Sequence, residues 1–436
     1  MAKALIGILL DVSDSMHHSA GSGIDEDGGP WARSIFKVVD NLIEHDVPSD
    51  NHVFALAFGA KAGGEVFDIL TGLQSATNDQ IEEIFQILET AGAWYIRKWA
   101  RKEVVKSALI HYMAHLFLEK AESDKDFLHK FVHECLPPEF KDFTKFHEGP
   151  GLVSQFGQAV NPLLSASETV YAPVGPTIRE ATKEDIKEVL KKAEPFLIKN
   201  DKTNKARQSH CKPRIFKVKE ASNILHGYID KEEELSKERS QELLKNVEPF
   251  IYGGTPFYQA IREAKELFKD NVPEYSEHKK LLFILSDGEP TDGYSVSSDR
   301  IPSAISTMAG AGVTIVSCYI TSQEIEPKQL YSEKKKKWDE CAKFMFSLSS
   351  KLATQSIPRS MFVKREWSIE TTNNETCLFL QVNHPDHLRE ACQLAREVVC
   401  SQEALSDLLA DVDLDVYINQ SVSDYEAQEK QEGHTC

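Results

Sequence analysis

Short apolar runs alternate with helical segments at both ends of this chain, and this alternation constrains the fold more than any other feature. The segments Trp31–Glu44 and Pro256–Lys269 are predicted to be helices, the first because its apolar residues recur at helical spacing. Buried strands are predicted around these helices, at Leu5–Leu10, Val53–Phe58, Leu281–Leu285, Val313–Tyr319 and Cys377–Val382. Strands separated by helices favour a mostly parallel sheet that is covered by helices on both faces.

The middle of the chain follows a different, mainly helical pattern. We expect one long helix over Arg97–Lys120, followed by helices over Lys125–Cys135 and Thr182–Ile198. This stretch is far longer than an ordinary connection between two strands. The sequence therefore predicts an α/β fold with a Rossmann-like, mostly parallel central sheet flanked by helices, and a large, mainly helical insertion. The predicted divisions are 1–91 and 249–402 for the two parts of the sheet domain, 92–248 for the insertion, and 403–436 for an acidic, partly disordered tail.

Composition and charge narrow the classes of function. The 436 residues are 41% hydrophobic and 27% charged, as in soluble globular proteins. The formal net charge of −18 argues against binding to a nucleic-acid backbone, which needs clustered basic residues. We find neither an apolar run as long as a membrane helix nor the cleavage site of a signal peptide. The eight cysteines contain no CxxC pair, so we expect reduced thiols and a cytoplasmic protein.

Oxygen-bearing side chains follow two of the predicted strands and one glycine-rich turn. Asp11, Ser13 and Ser15 come directly after the first strand, in the pattern DxSxS. Thr255 lies in a Gly-Gly-Thr-Pro turn before a helix, and Asp287 follows a later strand. Ligands of open α/β sheets bind outside the carboxyl ends of the strands. Carboxylate and hydroxyl oxygens suit Mg²⁺ or Mn²⁺ and not zinc, so these five residues are the predicted metal ligands.

These three elements together resemble the von Willebrand factor type A family. The DxSxS pattern that begins at Asp11, the Gly-Thr turn at Thr255 and the Ser-Asp-Gly strand end at Asp287 match that family's metal-ion-dependent adhesion site, in order and in strand context. The resemblance covers about residues 1–91 and 250–400. A single short pattern recurs by chance, whereas three patterns at predicted element boundaries are specific.

The resemblance implies a role for each of the five residues. In the family, two serines bind the ion directly, two aspartates bind it directly or through water, and the threonine joins or leaves with the conformational state. Ser13 and Ser15 are thus expected to be direct ligands, Asp11 and Asp287 to carry the charge, and Thr255 to be the switchable ligand. An acidic side chain of a partner protein then completes the coordination sphere. The family therefore implies a Mg²⁺-dependent (or Mn²⁺-dependent) protein-binding module in an intracellular assembly, and not an enzyme.

The chain departs from the family pattern at two places. An acidic loop over residues 17–30 separates the DxSxS pattern from the next helix. It is either a solvated loop, or a lid or self-ligand that competes with the partner carboxylate for the metal. The insertion ends just before Thr255 and could cap the metal, form the partner surface or hold the Thr255 loop in one state. Two other functions stay open: an enzyme whose active site lies in the insertion, and a structural protein in which the metal only stabilises the fold.

A second metal site is also conceivable in the helical region. The pairs His111/His115 and His129/His133 are each four residues apart on predicted helices, with Cys135 nearby. Two such pairs on packed helices could form a structural zinc site, although histidines on a helix surface are the more common case. No HExxH, GxSxG or Gly-rich phosphate loop is found, so no sequence signature supports hydrolysis or nucleotide binding.

Overall fold

The fold is described from a computed structural model. The described residues are 3–18, 36, 39–40, 43, 50–60, 66–141, 180–197, 214–227, 235–247, 251–270, 274–288, 290–292, 300–321, 323, 325, 328–353, 362, 364–383, 387, 390–391 and 394. The acidic loop over 17–30 (apart from the backbone of 17 and 18) and the tail over 403–436 lie outside them.

A seven-stranded, mostly parallel sheet forms the centre of the fold. The described strands are, in chain order, β1 (Ala4–Asp11), β2 (His52–Phe58), β3 (Val66–Asp68), β4 (Phe216–Lys217), β5 (Lys279–Ser286), β6 (Val313–Ile320), β7 (Gln329–Leu330), β8 (Lys351–Ala353), β9 (Ser368–Ile369), β10 (Glu375–Cys377) and β11 (Phe379–Val382). The sheet has the order β11-β6-β5-β1-β2-β3, and β4 also pairs with β2. Only β3 and β4 run antiparallel to their neighbour β2. The predicted α/β fold with a mostly parallel sheet and flanking helices is therefore confirmed.

The long strands are buried because their residues are almost entirely apolar. Every residue of β1 is buried, and β2, β5 and β6 are each buried along nearly their whole length. Continuous apolar runs of this kind are typical of parallel strands that are covered on both faces. Alternate residues of one strand accordingly belong to different cores, with Ile6 and Ile8 on one face and Leu5 and Leu9 on the other.

Helices cover both faces of the sheet and also form a separate body. The described helices are α1 (Asp14–His18), α2 (Ile69–Leu73), α3 (Asn78–Thr90), α4 (Ile96–Trp99), α5 (Lys102–Ala108), α6 (His111–Ser123), α7 (Lys125–Lys130), α8 (Lys183–Leu197), α9 (Val218–His226), α10 (Lys237–Val247), α11 (Phe257–Asp270), α12 (Arg300–Gly310) and α13 (Glu340–Leu348). One face of the sheet packs against α2, α9 and α10, and the other packs against α11, α12 and α13. A third hydrophobic core is made by α3 to α8, without any strand of the sheet.

This packing bears on the segment predicted as an insertion. Within 92–248, the helices α4 to α8 belong to the separate helical core, while α9 and α10 bury Leu225 and Leu243 against the sheet. Before that segment, α3 buries Phe85 in the helical core and not on the sheet. The domain boundaries themselves stay a prediction.

The prediction of one long helix over Arg97–Lys120 is wrong. The chain instead forms α4, α5 and α6, and it leaves helical geometry at Leu109. At that point the Ala76 N–H donates to the Leu109 carbonyl, and the His111 N–H donates to the Gln74 carbonyl. The backbone at Leu109 and His111 thus bonds to a distant loop, which competes with helix propagation and which helical periodicity does not reveal.

Among the described residues, no helix is long and apolar enough to cross a lipid bilayer.

Candidate metal site

The carboxylate of Asp11 is the centre of a buried hydrogen-bond network at the end of β1. Its Oδ1 accepts hydrogen bonds from the Ser13 N–H at 2.9 Å and from the Ser13 hydroxyl at 2.5 Å. Its Oδ2 accepts a hydrogen bond from the Ser286 hydroxyl at 2.5 Å. The Ser13 and Ser15 hydroxyl oxygens lie 3.0 Å apart. The DxSxS segment therefore turns back on itself and gathers its three oxygen-bearing side chains at one point.

A close approach by the end of β2 shapes this turn. The Val12 N–H donates to the Phe58 carbonyl at 2.9 Å, so the backbone just past β1 stays bonded to the end of β2. The next residue, Gly59, has φ +116, and a Cβ on it would lie 2.5 Å from the Ser13 nitrogen. Only glycine fits both the backbone conformation and the space at this position.

The loop that carries Thr255 is bonded directly to the DxSxS segment. The Tyr252 N–H donates to the Val12 carbonyl at 2.8 Å, and the Asp14 N–H donates to the Gly253 carbonyl at 2.9 Å. These two bonds join residues about 240 positions apart in sequence and bring the Thr255 loop to the end of β1. Thr255 itself is 3% exposed, which is compatible with a ligand inside a small site.

Two residues of the turn after β5 hold the Thr255 loop from the other side. The Thr255 N–H donates to the Thr291 hydroxyl at 2.7 Å, and the Thr291 N–H donates back to the Thr255 carbonyl at 2.8 Å. The carboxylate of Asp292 accepts hydrogen bonds from the Tyr258 and Gln259 N–H groups and thus caps the start of α11. The orientation of Thr255 is therefore set by this turn.

Asp287 lies beside Asp11 because β5 is the neighbour of β1 in the sheet. Leu10 pairs with Leu285, so the two aspartates follow adjacent strand ends. Gly288 has φ +80 and packs against the carbonyl of Cys341 and the side chain of Met345, which brings the start of α13 to the edge of the site. Its N–H donates to the Ser286 hydroxyl at 2.9 Å and so orients that hydroxyl toward Asp11.

The electrostatics of the site are unfavourable for two bare carboxylates. Asp11 is fully buried and Asp287 is only 6% exposed. Burial, and then the neighbouring charge of Asp287, raise the pKa of Asp11 to about 7, although its hydrogen bonds to Ser13 and Ser286 act in the opposite direction. A divalent cation would remove this penalty, because it adds positive charge beside both groups. The two carboxylates and the neighbouring hydroxyls are hard oxygen donors, so the residues present fit Mg²⁺ or Mn²⁺.

The position of the site in the sheet is that of a typical ligand crevice. From β1 the chain order proceeds through β2 and β3 on one side and through β5, β6 and β11 on the other. In open α/β sheets, ligands bind at the carboxyl ends of the strands where the order reverses in this way. All five predicted ligands follow or adjoin the ends of β1 and β5.

The sequence interpretation did not assign a role to the residues that orient the ligands. Ser286 donates to Asp11, Gly59 admits the Ser13 backbone, and Thr291 positions Thr255. A sequence signal existed for two of them, since Ser286 directly precedes Asp287 and Thr291 lies in the turn that follows it. Gly59 could not be singled out, because its role depends on the distance between two strand ends.

The two histidine pairs do not join into one zinc site. The rings of His129 and His133 are in contact, with centroids 4.3 Å apart and an angle of 41° between their planes. In the part of the chain that the structure describes, which includes all four histidines and Cys135, no three His, Cys, Asp or Glu side chains come together to hold a metal ion.

Comparison of the chain with protein-family models, with curated proteins and with solved structures gave no match.

Proposed function

We propose that this chain is a von Willebrand factor type A protein whose adhesion site binds Mg²⁺ (or Mn²⁺) and thereby an acidic side chain of a partner protein. The ligands would be Asp11, Ser13, Ser15, Thr255 and Asp287. One observation carries the proposal: three loops that are remote in sequence meet at the carboxyl ends of β1 and β5, where serine hydroxyls bond the buried Asp11 carboxylate beside the buried Asp287.

The strand order supports the finer assignment of the fold. Along the path β3-β2-β1-β5-β6-β11, the strands follow the chain outward from β1 in both directions. A doubly wound, Rossmann-like sheet would have this order, apart from the antiparallel edge strand β3. A type A domain of the family that the sequence resembles would place its adhesion site at this same reversal point.

We assign each residue of the site the role that the resemblance implies. Ser13 and Ser15 offer hydroxyl oxygens from one turn, while Asp11 and Asp287 supply negative charge from adjacent strand ends. The hydroxyl of Thr255 makes no hydrogen bond with another described residue, which suits a ligand that can join or leave. When bound, the ion supplies a positive centre with a coordination position open to a further carboxylate.

We further propose that the chain acts by binding and not by catalysis, within an intracellular, cytoplasmic assembly. Its net charge of −18 disfavours nucleic acid as the partner. The site offers oxygen ligands and charge, and a partner that brings Asp or Glu would complete it.

Metal binding is tested by titrating the full chain with Mn²⁺ and following the free ion by electron paramagnetic resonance. We expect one site that Mg²⁺ displaces, and an affinity that falls at least about tenfold in Asp287→Ala and in Thr255→Ala. The exposed Asp79 on α3 provides the control Asp79→Ala, which should bind as the wild type does. Equal Mn²⁺ affinity in all four proteins would overturn the assignment of the site.

Recognition of an acidic partner is tested with a displayed library of random 12-residue peptides, selected on the full chain in Mg²⁺ and eluted with a chelator. We expect the eluted peptides to share an Asp or Glu, and Asp287→Ala to elute none of them. A set of chelator-eluted peptides without a common acidic residue would contradict the proposed mode of binding. A measurable turnover that survived in Asp287→Ala would favour the enzyme alternative.

A further inference from the structure

A second polar cleft lies on the same edge of the sheet, next to the candidate metal site. It has a volume of about 320 Å³ and opens between the ends of β6 and β11 and the start of α13. Its floor is aromatic, with Tyr331 and Trp338 packed edge to face at 4.9 Å between ring centroids. The candidate metal site does not use this space, and the aromatic floor belongs to the core on one face of the sheet.

One register row connects the cleft to the metal site. Ser286 on β5 pairs with Tyr319 on β6, and Tyr319 pairs with Gln381 on β11. Asp11 continues the row on the other side, since its Oδ2 accepts the hydrogen bond from Ser286. Neighbouring strands are about 4.8 Å apart, so Gln381 lies about 14 Å from Asp11 along the row. The cleft and the metal site are therefore within reach of one short peptide.

Gln381 is the residue that points to a ligand. It is 8% exposed, it lines the cleft, and its side-chain amide makes no hydrogen bond with any described residue. Both N–H donors and the carbonyl acceptor of this amide are therefore available to a ligand in the cleft.

The charges that line the cleft are of both signs, so the cleft has no net attraction for a charged ligand of either sign. The Asp339 carboxylate accepts hydrogen bonds from the Tyr319 hydroxyl at 2.9 Å and from the Gln323 amide at 3.2 Å, so a carboxylate in the cleft would face a like charge. The ammonium of Lys337 also lines the cleft and would repel a cation. A neutral carboxamide fits this lining, because it can donate to and accept from the Gln381 amide at the same time.

We infer that this cleft binds an Asn or Gln side chain of the same partner protein that presents its acidic residue to the metal. An extended peptide advances about 3.3 Å per residue, so the distance of about 14 Å corresponds to a carboxamide three or four residues away from the acidic residue. The inference rests on the proposed function, and it adds a sequence requirement to the partner: one Asp or Glu and one Asn or Gln at that spacing.

The same peptide selection tests this inference when it is repeated on Gln381→Leu. From the wild type we expect peptides with Asn or Gln three or four residues from the shared Asp or Glu. From Gln381→Leu we expect acidic peptides without this preference. A selected peptide should also bind Gln381→Leu about tenfold more weakly, the effect of losing two hydrogen bonds.

A matched control separates the cleft from a general effect of the substitution. Gln86 is exposed on α3, in the separate helical body, and Gln86→Leu should select the wild-type peptides. Thermal unfolding of Gln381→Leu verifies that the variant is folded. Acidic peptides without the carboxamide preference in the wild type, or with an unchanged preference in Gln381→Leu, would overturn this inference alone. Loss of the acidic residue itself from the chelator-eluted peptides would overturn the proposed function and this inference together.

Discussion

Replacing Asp11 with asparagine should stabilise the metal-free protein at high pH. In the folded chain the pKa of Asp11 is raised from the usual 3.8 to about 7, through burial and through the charge of Asp287. Since each pKa unit corresponds to about 1.4 kcal/mol, the ionised carboxylate lowers the free energy of unfolding by about 4 kcal/mol. The amide of asparagine keeps the shape of the side chain and cannot ionise, so Asp11→Asn avoids this cost.

The raised pKa of Asp11 determines how the free energy of unfolding changes with pH. Between pH 4 and 7 the folded state holds a proton on Asp11 that the unfolded state has released, so the stability from this group is full below pH 4 and is lost as the pH rises through 7. Metal-free wild type should therefore lose up to about 4 kcal/mol relative to Asp11→Asn between pH 4 and 8. Asparagine also replaces an acceptor of three hydrogen bonds, which reduces the gain at pH 8 by about 1–2 kcal/mol.

The assay is urea unfolding of both proteins in chelator, followed by circular dichroism at several pH values. Asp79→Asn, a substitution at an exposed carboxylate on α3, serves as the control. The free energy of unfolding of this variant should change with pH in the same way as that of the wild type. Added Mg²⁺ should stabilise the wild type at pH 8 and leave Asp11→Asn nearly unchanged. If Asp11→Asn were less stable than the wild type by the same amount at pH 5 and pH 8, Asp11 would not have the raised pKa that burial and the charge of Asp287 give it.

Two further substitutions test the residues that shape the site. Gly59→Ala should destabilise the protein by about 2 kcal/mol or more in urea unfolding, because its Cβ would lie 2.5 Å from the Ser13 nitrogen. Gly92 has a similar φ of +110, but a Cβ on it would have no atom within 4 Å, so Gly92→Ala should lower the free energy of unfolding by only about 1 kcal/mol. Equal losses of stability in the two variants would refute the close approach at Gly59. Ser286→Ala should weaken Mn²⁺ binding about tenfold by removing the donor to Asp11, whereas Ser317→Ala, at a buried hydroxyl without a described partner on β6, should bind Mn²⁺ normally. An undiminished affinity in Ser286→Ala would show that this hydroxyl does not orient Asp11.

Local features of the sequence were sufficient to predict the class of fold. The long parallel strands are continuous apolar runs, so their burial on both faces follows from composition alone. The five candidate ligands could also be selected from the sequence, because each stands at the end of an apolar run or in a glycine-rich turn. That these five residues bind a metal ion is still a prediction.

Tertiary structure determined which of these residues meet and what surrounds them. The sequence does not say that β5 lies beside β1, and only this neighbourhood places Ser286 and Asp287 next to Asp11. The break at Leu109 likewise depends on hydrogen bonds to a loop more than 30 residues earlier. The row from Asp11 to Gln381 crosses four strands that come from distant parts of the chain. Periodicity and spacing report the neighbours of a residue along the chain, whereas a site at a sheet edge depends on the neighbours across strands, and these are decided by packing.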